Sequence, residues 1–296
     1  MSVATRDAAL LRAMPVVFVL IWSTGFIVAR YGMPHAPPFK FLALRFALSL
    51  ACFLLWVWWS KVAWPSGRRQ CLHLAVTGAL MHALYLGGVW AAVRAGMGSG
   101  LSALIVGLQP VLTALWLSAR GGSVSRRQWL GLLLGLTGLL LVVSRKFSQG
   151  SAGDHADLTN LALVVLALLS ITAGTLYQKR FVAPCDVRSA SAVQLIAAFV
   201  VMLPLAGLES APMVWNAELA GAMAWSVLAL TLGGSSLLYL LIQRGAATSV
   251  TSLLYLVPPT TAVMAWFLFA EPITATTVAG IAITALGVSL VLRAAR

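Results

Sequence analysis

The pattern of residues 100–143 of this chain returns from residue 249 onward. Pro110 and Pro259, Gly131 and Gly280, and Gly138 and Gly287 each stand 149 positions apart, with no gap. The same offset joins Leu20 to Leu169, Gly25 to Gly174 and Gly96 to Gly245. A fixed offset close to half the chain length is the mark of a duplication. Chance matches among glycine, leucine and alanine would not hold the prolines and the glycine pairs in one register. The copies divide the chain into 1–149 and 150–296.

Composition names the solvent in which those copies fold. The chain is 60% hydrophobic and 9% charged, where a soluble domain carries about 25% charged residues. A globule of 296 residues could not hide that much apolar surface, so the solvent is lipid. A spanning helix takes roughly 20 apolar residues. Ten such runs lie near 13–29, 39–59, 71–93, 97–118, 128–144, 158–178, 189–207, 219–242, 248–269 and 273–292. The expected fold is therefore an all-α polytopic membrane protein, with ten transmembrane helices as two five-helix repeats. Five is odd, so the second repeat enters from the opposite side and lies inverted. The connections are too short to form domains, and any activity must sit in or beside the bilayer.

The net charge of +13 would suit a nucleic-acid partner if it formed one patch. Instead, with the N-terminus cytoplasmic, 14 of the 20 Lys and Arg residues fall on the cytoplasmic side, 5 on the other, and Arg45 within a span. That is the positive-inside bias of a multi-pass protein with both termini in the cytoplasm. The charge reports topology, and no nucleic-acid partner is expected. Cys52, Cys71 and Cys185 are odd in number and lack a C-x-x-C spacing, which argues against a disulfide framework or a metal site. Arg6 and Arg12 before an apolar run resemble a signal peptide. That run continues to Val28 without a small-x-small cleavage site, and reads as an uncleaved first helix.

Polar and aromatic residues inside the runs are the candidates for a substrate site. In the first run, Trp22, Ser23, Thr24 and Gly25 either line a cavity or form a packing seam. His82 and Tyr85, followed by Val89, share one helical face in the third run. His82 is about mid-span, where a cavity role competes with that of a hydrogen-bonded core residue. Gln109 and Pro110 stand in the fourth run, Tyr255, Pro258 and Pro259 in the ninth. A mid-helix proline removes the bond to the carbonyl four residues back, so Pro110 and Pro259 read as kinks shared by both copies. Gly233 and Gly234 in the eighth run suggest a hinge, with Ser235 and Tyr239 on one face. The candidate lining is Trp22, Ser23, His82, Tyr85, Gln109, Tyr239 and Tyr255. Arg45 either faces protein or water or snorkels to the nearby outer end; its counterpart in the second copy is Gln194. His35 in the proline-rich outer turn reads as solvated, His73 as wetted at the cytoplasmic end. The spaced glycines Gly131, Gly135, Gly138, Gly280 and Gly287 read as close helix contacts.

In their order these motifs resemble the EamA branch of the drug/metabolite transporter superfamily, over nearly the whole chain. The resemblance is carried by Trp22-Ser23-Thr24-Gly25-Phe26, by Pro37-Pro38 followed by Arg45-Phe46, and by Pro259, Glu271-Pro272, Gly280 and Gly287. One departure stands out: Gly121-Gly122 replace the glutamate that the family carries before its fifth helix. The resemblance implies a multi-pass exporter of small metabolites in a bacterial inner membrane, amino acids in particular. The expected partners are a small-molecule substrate and membrane lipid, with the chain a monomer or a weak homodimer.

Two other readings use the same residues. A carrier of nucleotide-sugar, drug or lipid-linked substrates would keep the scaffold; anionic groups would then need a cation at depth, and Arg45 is the one within a span. An intramembrane enzyme would need a catalytic constellation. H-E-x-x-H is missing, Met97 replaces the first glycine of a G-x-S-G pattern at Gly98-Ser99-Gly100, and no carboxylate pair lies in a span. No catalytic residue, metal or cofactor is expected. All seven acids fall in terminal segments, loops or at helix ends. A proton-coupling carboxylate within a span is therefore not expected, and His82, of a type that titrates near pH 6.5, is the residual candidate.

Overall fold

The computed structural model describes residues 3–119, 125–149, 157–243, 256–271 and 273–294. These form ten helical segments in the expected order, five of them long and apolar enough to cross a bilayer as described. In the first copy they are α1 (Val3–Gly32), α2 (Pro38–Ser60), α3 (Arg68–Arg94), α4 (99–119) and α5 (Arg126–Gln149). In the second they are α6 (Leu158–Phe181), α7 (Val187–Leu208), α8 (217–243), α9 (Val257–Phe269) and α10 (Ala275–Ala294). The protein is an all-α polytopic membrane protein built from two inverted five-helix repeats.

The helix ends follow local chemistry. Pro37, extended at φ −63° and ψ 139°, precedes Pro38 in the first turn of α2, where a missing N–H costs nothing. Asp157 and Asn160 form a reciprocal capping box at the start of α6, and Asn216 accepts from the Leu219 N–H at 2.8 Å to start α8. Asp186 caps α7, and the hydrogen-bonded Arg188 guanidinium holds its carboxyl below the usual carboxylate range. At the same end of the bundle Trp58, Trp59 and Trp64 are exposed, as an interfacial aromatic belt requires.

Among the described residues, three spans depart from regular α-helix. α3 is widened by a π-helical turn, Ala79–Leu84, and α8 by a π-helical stretch, Ser226–Ser235. α4 is two helices, Ser99–Val106 and Gln109–Ala119. The sequence predicts a kink at Pro110 within one continuous helix; instead the helix stops and restarts, which places Pro110 in the first turn of the new segment. The break is taken by Gly107 and Leu108, whose N–H groups bond Ala103 and Ile105 carbonyls at 2.8 and 3.1 Å. Pro258 and Pro259 likewise fall in the first turn of α9.

The two copies pack about a common dyad. α2 packs on α7, α4 on α9 and α5 on α10; α1 meets α8 and α9 as α6 meets α3 and α4. Every one of these contacts persists when the copies are exchanged, which is what a two-fold axis in the membrane plane produces. The α5–α10 contact repeats residue by residue: Gly138 faces Gly280 and Thr284, while Gly287 faces Gly131 and Gly135. A Cβ at Gly138 or Gly287 would strike the facing backbone. Between helices in lipid, such close van der Waals packing stands in for the hydrophobic effect. Phe41, Phe46, Phe53 and Trp90 fill the interior around α2 and α3, while leucines such as Leu55, Leu133 and Leu228 point outward to the lipid.

Candidate functional site

The two π-helical stretches fall at matching positions in the two copies, and such bulges occur mostly at functional sites. They carry His82 and Thr231, which are repeat counterparts. Arg45 Nε on α2 donates to Thr231 Oγ1 at 3.1 Å. His82 Nε2 lies 3.4 Å from Oε1 of Gln194 on α7. Arg45 and Gln194 are also counterparts, so the copies form the same polar pair twice, with the helices exchanged. Thr231 in turn donates to the Ser226 carbonyl, five residues back, at 2.8 Å. The widened turn supplies that acceptor.

A small pocket of about 40 Å³ lies beside the Arg45–Thr231 pair. Trp22 and Phe26 of α1, Arg45, and His82, Tyr85 and Trp90 of α3 line it, closed by Leu230 and Ser235 of α8. Tyr85 stacks on Trp22 with ring centroids 6.4 Å apart and planes 5° from parallel. The Arg45 guanidinium carbon stands 5.8 Å from the Trp90 ring centroid, within cation–π range. Gly174 leaves room for Met81, which a Cβ there would strike, while its counterpart Gly25 lies in ordinary contact range of Leu230, the counterpart of Met81.

A second cavity, of about 910 Å³, opens between α4 and α6. Its walls include Leu112, Leu115, Trp116, Thr172 and Tyr177, with Leu80 of α3. The matching space between α9 and α1 is filled. Thr261 Oγ1 donates to the Ser23 carbonyl at 3.3 Å, and the Tyr31 and Phe269 rings lie 4.8 Å apart. Ala265 is 0% exposed where its counterpart Trp116 is 50% exposed. Glu271, just past α9, seals that end. It pairs with Arg30 of α1 and accepts from the Ser99 N–H at 3.2 Å and the Ser99 hydroxyl at 2.9 Å at the start of α4. The matching positions in the first copy, Gly121 and Gly122, lie outside the described residues.

Of the expected lining, the structure brings Trp22, His82 and Tyr85 together in the small pocket. Ser23 is instead a packing residue: it is fully buried, and its hydroxyl donates to the Val19 carbonyl at 2.7 Å. Gln109 ties α4 to α6 through Thr175 Oγ1 at 3.0 Å. Tyr239 is not at the pocket. It belongs to a separate cluster with Leu74 and Ala190, its hydroxyl 3.0 Å from Cys185 Sγ. Ser235 and Tyr239 stand one regular turn apart, since α8 is α-helical from Ser236; they share a face but lie about 6 Å apart along the axis, and of the two Ser235 is the one at the pocket. Tyr255 lies outside the described residues. Gly233 and Gly234 sit within the π-helical stretch, Gly234 against Ile21 and Trp22. His35 is engaged by Glu218 at 2.8 Å, and His73 by Tyr177 at 2.8 Å, so neither is merely solvated.

Pocket residues missing from the expected lining include Arg45, Phe26 and Trp90, with Thr231 beside the pocket as the partner of Arg45. Arg45 does not snorkel: it is 3% exposed and faces the pocket. The duplication offset carried the signal, since Arg45 and Gln194 are polar at one position and His82 and Thr231 at another.

Two inverted repeats, a polar pair astride their dyad and one open flank define a membrane transporter of the inverted-repeat class. The EamA-like transporter family matches residues 13–144 and again 158–293, and the chain belongs to that family. An uncharacterized transporter of Archaeoglobus fulgidus is 25% identical, over 92% of this chain and 93% of its own. An uncharacterized inner membrane transporter of Escherichia coli is 25% identical, over 71% of this chain and 66% of its own. A probable amino-acid metabolite efflux pump of Salmonella typhimurium is 25% identical, over 55% of this chain and 51% of its own. A solved crystal structure with 17% identity superposes with a TM-score of 0.68, over 96% of this chain and 98% of that one; it bears on the fold alone.

Proposed function

We propose that this protein exports small amphipathic metabolites, amino acids among them, across a bacterial inner membrane by alternating access. Both termini are cytoplasmic, and one chain forms the whole pathway, so a monomer or a weak homodimer suffices. The carrying observation is the unequal state of two equivalent flanks. α1 and α9 are packed and sealed by Glu271, whereas α6 and α4 stand around a cavity of about 910 Å³. Inverted repeats let the two flanks exchange these states, opening a midplane site to each side in turn. Arg180 and Phe181 mark the open flank as the cytoplasmic one under the positive-inside assignment. The conformation is thus loaded from inside.

The amino-acid assignment is supported by the aromatic lining of the pocket and by the name of the Salmonella relative. Purified protein in proteoliposomes loaded with amino acids, sugars or cationic drugs tests it. The expected result is efflux of amino acids above that of protein-free liposomes, reduced in Tyr85→Ala and Trp22→Ala by more than their loss of thermal stability accounts for. Efflux of the cationic drugs alone would overturn the assignment.

A further inference from the structure

Within that transport reading, we propose that Arg45 is the anchor for a carboxylate on the transported solute, so the substrates are organic acids and zwitterions with a free carboxylate. The guanidinium is 3% exposed and points into the small central pocket. A guanidinium has five N–H donors and is always charged. Among the described residues Arg45 gives one of these donors to a neutral hydroxyl, that of Thr231, and pairs with no carboxylate. Five acids are engaged elsewhere. Glu271 holds Arg30, Glu209 caps α2 through the Phe39 and Lys40 N–H groups, Glu218 holds His35, Asp186 holds Arg188, and Asp157 caps α6.

A cation in the membrane interior is costly and marks a functional site by default, and a buried charge without a counter-charge is strongly unfavourable. An arriving carboxylate removes that cost, because its two oxygens match the guanidinium fork. The volume agrees. About 40 Å³ is several times the roughly 10–15 Å³ that one water needs, which is room for a small head group and not for a whole solute. Trp22, Phe26 and Tyr85 offer apolar faces to the rest of the solute behind its head group. One turn of α3 separates this pocket from the large cavity, with Leu80 on one side and Met81 and His82 on the other. The duplication placed charge on one copy only. The counterpart of Arg45 is the neutral Gln194, whose Nε2 is itself buried without a partner among the described residues. A solute with one anionic end is therefore held in one orientation.

The test uses the full chain in lipid nanodiscs and four probes: 3-phenylpropionate, L-phenylalanine, L-phenylalaninamide and phenethylamine. Thermal unfolding and calorimetry should show binding of the two carboxylates and not of the amide or the amine. Arg45→Gln should weaken carboxylate binding roughly tenfold or more, as loss of a charge-assisted pair implies, and Arg45→Lys should retain part of it. Equal binding of phenethylamine, no binding of either carboxylate, or carboxylate binding unchanged in Arg45→Gln would each overturn the proposal. Flux separates it from the transport reading. Carboxylates that bind but never cross liposomes would remove transport and leave the anchor. Phenethylamine crossing as fast as phenylalanine, unchanged in Arg45→Gln, would leave transport and remove the anchor.

Discussion

Arg45 Nε and Thr231 Oγ1, 3.1 Å apart, are the exchanged image of Gln194 and His82, whose Oε1 and Nε2 stand 3.4 Å apart. The duplication thus left one polar contact in two copies and differentiated its chemistry. One copy holds a permanent cation and a hydroxyl, the other an amide and a titratable imidazole. All four side chains are buried, and each contact ties a regular helix to a π-widened one.

Thr231→Val should expose what the Arg45 contact contributes. A hydrogen bond to a charged group is worth about 1.5–3 kcal/mol, and valine keeps the shape while removing the acceptor. The variant should lose stability on that order in thermal or denaturant unfolding and should lose most of its flux. Wild-type flux with wild-type stability would show that Arg45 is held by something else.

Glu271→Gln should loosen the seal between α1, α4 and the segment after α9, because the glutamate serves Arg30 and the Ser99 N–H and hydroxyl together. The expected result is faster labelling of a cysteine introduced at Ile27 by a membrane-impermeant thiol reagent added from outside. Unchanged labelling would mean that apolar packing alone, such as that of Tyr31 on Phe269, closes this side.

Most of the fold was readable in the sequence, because lipid leaves few choices: ten apolar runs must be helices, and an odd number per copy must invert. That Gly138 and Gly287 make close helix contacts was readable from their spacing; that they pair α5 with α10 was not. The site was half readable. Trp22, His82 and Tyr85 stand out as polar or aromatic groups at depth, but the π-helical stretches leave no composition signature, and they shift which residues share a face. A shared face also does not fix depth: Ser235 reached the pocket and Tyr239, one regular turn further along α8, did not. Arg45 was ambiguous because distance from a helix end does not say whether a cation is covered; Trp90 and Thr231, which cover it, come from helices distant in sequence.

Topology fusions give an independent check on orientation. Reporters placed after Arg69 and after its counterpart Glu218 should report opposite sides, cytoplasmic for Arg69. Matching signals would contradict the inverted arrangement.

Coupling is expected to be absent, since the described acids sit at helix ends and loops. With equal substrate on both sides of a liposome and an imposed pH gradient, no net accumulation should appear. Accumulation lost in His82→Ala would make the imidazole the coupling group in place of simple facilitation. Accumulation that survives His82→Ala and is abolished by changing Glu271 or Glu218 would contradict the account.

Cross-linking of equivalent flanks is the most direct test of alternating access. In a background with Cys52, Cys71 and Cys185 replaced, one variant carries cysteines at Ser23 and Thr261, the other at their counterparts Thr172 and Leu112. A short bis-thiol reagent should join the first pair quickly and the second slowly in protein without substrate, because α1 and α9 are packed while Leu112 and Thr172 line the open cavity. Joining either pair should stop flux, and L-phenylalanine during turnover should speed the second pair while slowing the first. Equal rates for both pairs, or flux that continues with either flank joined, would contradict the exchange of states between the two copies.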